Sequence, residues 1–265
     1  MSRKVKVTDT EIRTNGVNWF QEWFGLDYLR LYPHRDEAEA QRQVVFLVDL
    51  LPKAASLEVL DIGCGDGRHL AALSRAGLAA TGLDLSAPLL QRAAARPENL
   101  RLVRSDMRLL PFATGRFGAL TSFFTSFGYF PSDEDHVALA TEFRRVTRTN
   151  GFLFIDFLNE SVVRRELPRT TYSEDEHARY EQRRSLSADG LRVEKHITIV
   201  EKQTGRERCY VESVRLYTKH DLELILMRSG YTIAELWGDF TGQPPSSVAP
   251  RLLILAQAHE HSLPR

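Results

Sequence analysis

Residues 59–67 read Val59-Leu60-Asp61-Ile62-Gly63-Cys64-Gly65-Asp66-Gly67, and Gly82-Leu83-Asp84 closes the next apolar run. An apolar strand runs into glycines at alternate positions, where the backbone can approach a ligand that any Cβ would hold off. The carboxylate at the end of the following strand is placed to accept hydrogen bonds from the paired hydroxyls of a ribose. This layout predicts a nucleotide or nucleoside pocket at the carboxyl edge of a parallel sheet. A dinucleotide fingerprint, G-x-G-x-x-G, would need glycine at position 68; the chain has Arg68, and its glycines fall as G-x-G-x-G. Asp61, two residues ahead of the first glycine, would repel a pyrophosphate and suits an ammonium group. Cys64 in the turn is read as a small packing residue of the pocket rather than a nucleophile.

These residues need a sheet to hold them. From residue 58 the pattern alternates in βαβ fashion: strand Glu58–Ile62, helix Arg68–Ala76, strand Ala80–Leu85 and helix Ala87–Ala95 with Ser86 as N-cap. Strand Leu100–Arg104 ends at Ser105-Asp106-Met107. Strand Phe117–Phe123, a helix over 133–147, a turn at Gly151 and strand Phe152–Phe157 follow. Parallel strands with short crossovers imply helices on both faces. After Asn159, segments 178–187, 191–203 and 207–217 alternate apolar and polar residues around turns at Asp189-Gly190 and Thr204-Gly205, which predicts an antiparallel meander. Helix 219–229 stops at Gly230, and strands 231–237 and 252–258 finish the sheet. Ahead of it all, residues 18–50 hold two helical patterns, one carrying Trp19, Phe20, Trp23 and Phe24, the other over 35–51 and closed by Pro52-Lys53. An aromatic cluster at helical spacing reads as core. The expected architecture is α/β: a doubly wound, Rossmann-like, mostly parallel seven-stranded sheet. Its parts are an N-terminal helical cap over 1–54, a core over 55–158 and 218–265, and a β insert over 159–217.

Through Asp61-x-Gly63-x-Gly65-x-Gly67 and Asp84 the chain resembles the class I S-adenosylmethionine-dependent methyltransferases. The likeness covers most of residues 55–158 and resumes over 218–258. Small-molecule members, amino-sugar N-methyltransferases among them, are similar in their antiparallel insert and in a cap like Asp27-Tyr28, Leu31-Tyr32 and His34-Arg35-Asp36. The resemblance implies S-adenosyl-L-methionine as cofactor and S-adenosyl-L-homocysteine as product. It implies that Gly63, Gly65 and Asp61 hold the amino acid arm, and that Asp84 binds the ribose with Leu85 against the adenine. Asp106 would accept from the adenine amine and the Met107 backbone would donate to a ring nitrogen. Tyr28 and Tyr32 would reach over the cofactor from the cap.

The end of the fourth strand, Phe123-Phe124-Thr125-Ser126-Phe127-Gly128-Tyr129-Phe130, faces the ligand crevice of such a sheet. Phe124 and Tyr129 are the site choices, able to flank a sulfonium by cation–π attraction, while at least one of Phe123 and Phe127 is core. Tyr129 and His220 are the candidate catalytic residues among the available Tyr and His side chains. Asn-Pro-Pro-Tyr or Asp-Pro-Pro-Tyr is absent after strand four, which argues against methylation of DNA bases or glutamine amides. No metal site is evident. Arg179, Tyr180, Arg183 and Arg215 on the meander, and Arg251 after the Pro-rich loop, would permit an anionic substrate.

Thirty-five basic and 35 acidic residues cancel, so no global field draws the chain to nucleic acid or to an anionic membrane. Two cysteines are too few for a disulfide framework or a four-ligand zinc site. The start, Met1-Ser-Arg-Lys-Val-Lys-Val, lacks the apolar stretch of a signal peptide, and no run approaches membrane-spanning length, so a cytoplasmic protein is expected. The leading function is N- or O-methylation of a small-molecule acceptor, with a homodimer possible. The rivals are a catalytically silent S-adenosylmethionine-binding regulator and an RNA or protein methyltransferase, which would need a basic face or an added recognition module.

Overall fold

The computed structural model describes residues 19–33, 35–51 and 57–259; the N-terminal segment, His34 and the Pro52-Lys53 stop lie outside them. One sheet has seven strands in the order β10-β11-β5-β4-β1-β2-β3. These are β1 Glu58–Ile62, β2 Ala79–Asp84, β3 Arg101–Arg104, β4 Phe117–Ser122, β5 Thr147–Leu158, β10 Tyr231–Trp237 and β11 Arg251–Ala258. β1 to β5 run parallel, and β11 is antiparallel to both of its neighbours.

Alternation along the strands sorts side chains to two faces. Leu60, Ile62, Leu153 and Ile155 pack with α6 (Asp133–Val146) and α8 (Lys219–Arg228). Val59, Phe154, Leu253 and Leu255 pack with Val44 and Leu47 of α3 (Glu37–Leu50) and Ala72 and Leu73 of α4 (Arg68–Arg75). The doubly wound, mostly parallel sheet expected from the sequence is the observed one. Ser86 caps α5 (Ala87–Ala94), its hydroxyl accepting from the Leu89 N–H. Gly230, at φ 85°, follows α8 as anticipated.

Three local expectations are corrected. The first helical pattern splits into α1 (Trp19–Trp23) and α2 (Leu26–Leu31), because Gly25 turns extended between them. Gly151 is not a turn ahead of strand five but sits inside β5. A Cβ there would lie 2.8 Å from the Arg148 carbonyl and 2.9 Å from that of Gly118, where the register with β4 shifts. The meander gains an edge strand, β6 (Thr170–Glu174), and is preceded by a short helix, α7 (Glu160–Glu166).

The insert is a separate four-stranded antiparallel sheet, β6-β7-β8-β9, with β7 Ala178–Leu186, β8 Arg192–Glu201 and β9 Glu207–Arg215. Its apolar face rests mainly on the cap, with Val214 packing against the core of the main sheet. Ala178, Tyr180, Ile197 and Ile199 pack with Trp23, Leu31 and Tyr32 of the cap. Polar contacts reinforce this seam: Arg208 and Tyr210 reach Asp27 at 2.7 and 2.9 Å, and the Trp23 indole donates to Glu212 at 2.6 Å. The cap is tied to the core where the Ser86 hydroxyl donates to the Phe24 carbonyl at 2.6 Å. α1, α2 and the insert thus pack on one another, while α3 of the cap packs on the main sheet. No helix among the described residues is long and apolar enough to cross a membrane.

Candidate active site

The glycine turn follows directly from backbone geometry. Gly63, Gly65 and Gly67 have φ of 71°, 56° and 80°, a left-handed conformation that glycine alone adopts without strain. A Cβ on Gly63 would also stand 2.8 Å from the Ser126 hydroxyl. The N–H groups of Gly63 and Cys64 donate to the Leu83 carbonyl at 2.8 and 3.0 Å, locking the turn to the end of β2. That strand ends at Asp84, whose two oxygens accept from the N–H groups of Gly65 and Ser86, each at 2.8 Å. Burial raises the Asp84 pKa, and the backbone donors of Ser86, Gly65 and Leu85 hold it back. Its remaining lone pairs are available to a ligand.

Asp61 sits one strand over, in register with Gly82 on β2 and Thr121 on β4. One carboxylate oxygen accepts from the Thr121 hydroxyl at 2.8 Å; the other is buried and has no partner. Burial pushes its pKa up to about 7, with the Asp84 charge acting the same way. Nearby, the Arg68 guanidinium bonds Asp66 at 3.1 Å through Nε, while its Nη1 is buried without a partner. An orphaned acid oxygen and an orphaned guanidinium nitrogen in one cavity complement a zwitterion, ammonium to Asp61 and carboxylate to Arg68. The amino acid arm of S-adenosylmethionine fits that description.

This cavity measures about 440 Å³. Tyr28, Asp61, Gly63, Cys64, Gly65, Asp84, Leu85, Asp106, Met107, Phe124 and Tyr129 all line it. Asp106 is anchored by Arg108 at 2.6 Å; burial alone would raise its pKa, but the Arg108 hydrogen bonds outweigh that and lower it. Burial raises the Cys64 thiol well above its usual range, so no reactive thiolate forms there. Two sequence choices lie elsewhere. Tyr32 does not line this cavity; its hydroxyl donates to Glu212 at 3.0 Å and receives a bond from Lys195 at 2.6 Å. His220 is exposed on α8, 3.8 Å from Glu223, and lines neither cavity described here.

The structure adds wall residues that residue type alone did not single out. Phe20 and Phe24 of the aromatic helix pattern line the cavity, whereas Trp23 is core as expected. His69, fully buried, stacks on Phe123 at 4.0 Å and bonds Gln43 at 2.6 Å. Burial, helped by Arg68 and Arg35, pulls its pKa down to about 3, so it is a neutral wall group rather than an acid. Phe127 is core, and Phe123 is both core and wall.

Beyond the fourth strand, Phe124 and Thr125 adopt φ of 52° and 70° without being glycine. Such conformations cost about 1–3 kcal/mol each and persist only where the surroundings impose them. Asp156 on β5 does so. Its carboxylate accepts from the Phe124 N–H at 3.0 Å, its carbonyl accepts from the Thr125 N–H at 3.0 Å, and Arg251 clamps it at 2.6 Å. The turn presents Phe124 to two cavities at once. The second, of about 380 Å³, lies between core, cap and insert and shares Phe24, Tyr28, Phe124 and Tyr129 with the first. Of the arginines expected to face a substrate, only Arg251 lines it. Arg179, Arg183 and Arg215 pair with Glu174, Glu181 and Asp133 instead. Tyr180 is buried in the cap–insert core, its hydroxyl on Asp175.

A methyltransferase-domain family model matches residues 59–151. The chain is 27% identical over 208 residues to a dTDP-3-amino-3,4,6-trideoxy-alpha-D-glucopyranose N,N-dimethyltransferase of Streptomyces venezuelae, covering 72% of this chain and 81% of that one. It is 28% identical over 213 residues to a dTDP-3-amino-3,6-dideoxy-alpha-D-glucopyranose N,N-dimethyltransferase of Streptomyces fradiae, covering 73% and 78%. The CcbJ methyltransferase of Streptomyces caelestis shares the fold at a TM-score of 0.76 and 18% identity, over 89% of this chain and 98% of that one. Together with the glycine turn, the strand-end acids and the sheet order, these matches support an S-adenosylmethionine-dependent methyltransferase enzyme similar to the class I members.

Proposed function

We propose that the protein methylates nitrogen or oxygen of a small-molecule acceptor held in the second cavity. The observation that carries this reading is the shared aromatic wall: Phe24, Tyr28, Phe124 and Tyr129 border both cavities, so a donor in one meets an acceptor in the other. The relatives' printed names, sugar N,N-dimethyltransferases, support an acceptor of that size.

When bound, S-adenosylmethionine supplies an electrophilic methyl group on a sulfonium. Asp61 and Arg68 would grip its amino acid arm, Asp84 its ribose hydroxyls, and Asp106 with Met107 its adenine. Phe124 and Tyr129 would face the sulfonium, a contact worth about 0.5–2 kcal/mol. In-line attack by the acceptor lone pair would transfer that methyl group, with the carbon–sulfur electron pair retained on sulfur as S-adenosylhomocysteine and the acceptor's proton released to water.

The chain's own contribution is placement, which supplies roughly 7–11 kcal/mol when two reactants are held in line. Tyr129 is no base: burial, with the Tyr28 and Glu212 charges, raises its phenol far above neutrality.

Filling the second cavity tests this. Val163→Trp on α7, which lines only that cavity, should abolish methyl transfer to an amine and alcohol metabolite panel while S-adenosylhomocysteine affinity stays unchanged. Undiminished turnover in the filled variant would place the acceptor elsewhere.

A further inference from the structure

The second cavity carries unbalanced positive charge. Arg35, Glu166, Arg184, Lys195, Glu212 and Arg251 line it. Lys195 is neutralised by Glu212 at 2.7 Å and Arg251 by Asp156 at 2.6 Å. Glu166 is at the exposed rim and pairs with Arg165. Among the described residues, no carboxylate lies within ion-pair distance of Arg35 or Arg184.

Their hydrogen-bond partners are neutral. Arg35 donates to the Tyr28 hydroxyl at 2.5 Å, and its guanidinium lies 4.2 Å from the Tyr32 ring centre and 4.8 Å from that of Phe124. Arg184, from β7, donates to the Thr171 hydroxyl at 3.0 Å and the Gln182 side-chain carbonyl at 2.8 Å. A guanidinium has five N–H donors in a fork that matches an oxyanion, so each keeps donors free. Both fields reach Lys195: burial lowers its pKa, Arg184 and Arg35 push the same way, and Glu212 opposes them. Two half-buried cations from separate segments line one cavity without an ion pair of their own; Glu212, already paired with Lys195, acts on Arg35 only from beyond ion-pair distance. A bound anion would complete this arrangement.

We propose that the methyl acceptor carries an oxyanion, a carboxylate or a phosphate, held by Arg35 and Arg184 while its nucleophilic nitrogen or oxygen faces the Phe124–Tyr129 wall. The inference rests on the proposed methylation and names the substrate class of that same site. Arg35 stacks on Phe124, the ring that also borders the cofactor cavity, so the anionic group and the reacting atom lie close together. Together with the volume of about 380 Å³, this makes the acceptor compact.

The experiment is a calorimetric titration of inorganic phosphate, and separately of benzoate, into protein saturated with S-adenosylhomocysteine. At least one is expected to bind saturably, and the stronger of the two identifies phosphate or carboxylate as the recognised group. Arg35→Gln and Arg184→Gln should each weaken that binding at least about tenfold, or about 1.4 kcal/mol. Arg184→Lys, which keeps charge and loses the fork, should fall between wild type and Arg184→Gln. Arg179→Gln on the same strand should change nothing. S-adenosylhomocysteine affinity and circular dichroism, measured on every variant, separate lost folding from lost anion binding. Absence of saturable binding by either anion, or equal binding in all the Arg35 and Arg184 variants, overturns the proposal. Methylation confined to uncharged acceptors would overturn the substrate class alone and leave the proposed methylation standing.

Discussion

The two cavities share four aromatic residues but are built in different ways. The first takes its acids from the carboxyl ends of three adjacent parallel strands: Asp61 within β1, Asp84 at the end of β2 and Asp106 just after β3. Ladder register places each of them, as the pairing of Asp61 with Gly82 and of Asp84 with Arg104 shows. The second takes Arg35 from the cap, Arg184, Lys195 and Glu212 from the insert, and Arg251 from the last strand. No ladder relates those groups to the main sheet as a whole; the packing of Trp23 and Tyr32 on Ile197 and Ile199 does. A cavity fixed by the sheet can thus stay constant while a cavity fixed by side-chain packing, the proposed acceptor site, is reshaped by changes in the insert.

The largest effect that would sharpen this contrast is expected at Asp84. Asp84→Ala strands the Gly65 and Ser86 N–H groups and removes the proposed ribose acceptor. Hydrogen bonds to a charged group are worth about 1.5–3 kcal/mol each, so cofactor affinity should fall roughly a hundredfold by calorimetry. The acceptor KM at saturating cofactor should not move, and a loss confined to that KM would break the separation of the two sites.

A smaller effect on cofactor affinity, alongside a change in stability, is expected from pH, through Asp61. Its folded pKa of about 7 is raised from the ordinary 3.8, so the folded protein holds this proton more tightly than the unfolded chain. Stability without ligand should therefore fall by about 4 kcal/mol as pH rises from about 4 to 7, then level off. Cofactor binding should respond in the opposite direction. An ammonium group needs the ionised carboxylate, so affinity should rise about tenfold between pH 6 and pH 8. Asp61→Asn should flatten both profiles; if affinity keeps its pH dependence in that variant, another group controls it.

The smallest effect is at the wall itself. Thr125→Gly relieves one left-handed non-glycine residue while adding chain freedom, so stability should stay within about 1 kcal/mol. Turnover should drop several-fold with cofactor affinity unchanged, because the turn no longer fixes Phe124 between the cavities. Unaltered kcat would remove the turn from any positioning role.

The first cavity was legible because its signals are local. Glycines at 63, 65 and 67 announce positive φ, and acids at strand ends need no knowledge of distant segments. The second cavity, the proposed acceptor site, was not. Arg179, Arg183 and Arg215 look as available in the sequence as Arg184, and only the fold hands them Glu174 across the β6–β7 ladder, Glu181 two residues back along β7 and Asp133 at the start of α6, while leaving Arg184 on neutral partners. The left-handed pair Phe124-Thr125 carries no sequence mark, since its cause, Asp156, lies a strand away. His220 looked available as a base on composition alone and stands exposed on α8. Gly151 looked like a turn because close backbone approach and a turn both call for glycine.

By itself the sequence determined the parallel sheet, the glycine turn and the identity of the methyl donor, because hydrophobic period, backbone freedom and strand-end charge act over a few residues. Only the tertiary structure decided which arginines lack an ion pair, how α1, α2 and the insert pack on one another, and where the wall between the cavities stands. Those depend on contacts between separate elements, from Phe124 with Asp156 at a separation of 32 to Trp23 with Glu212 at a separation of 189.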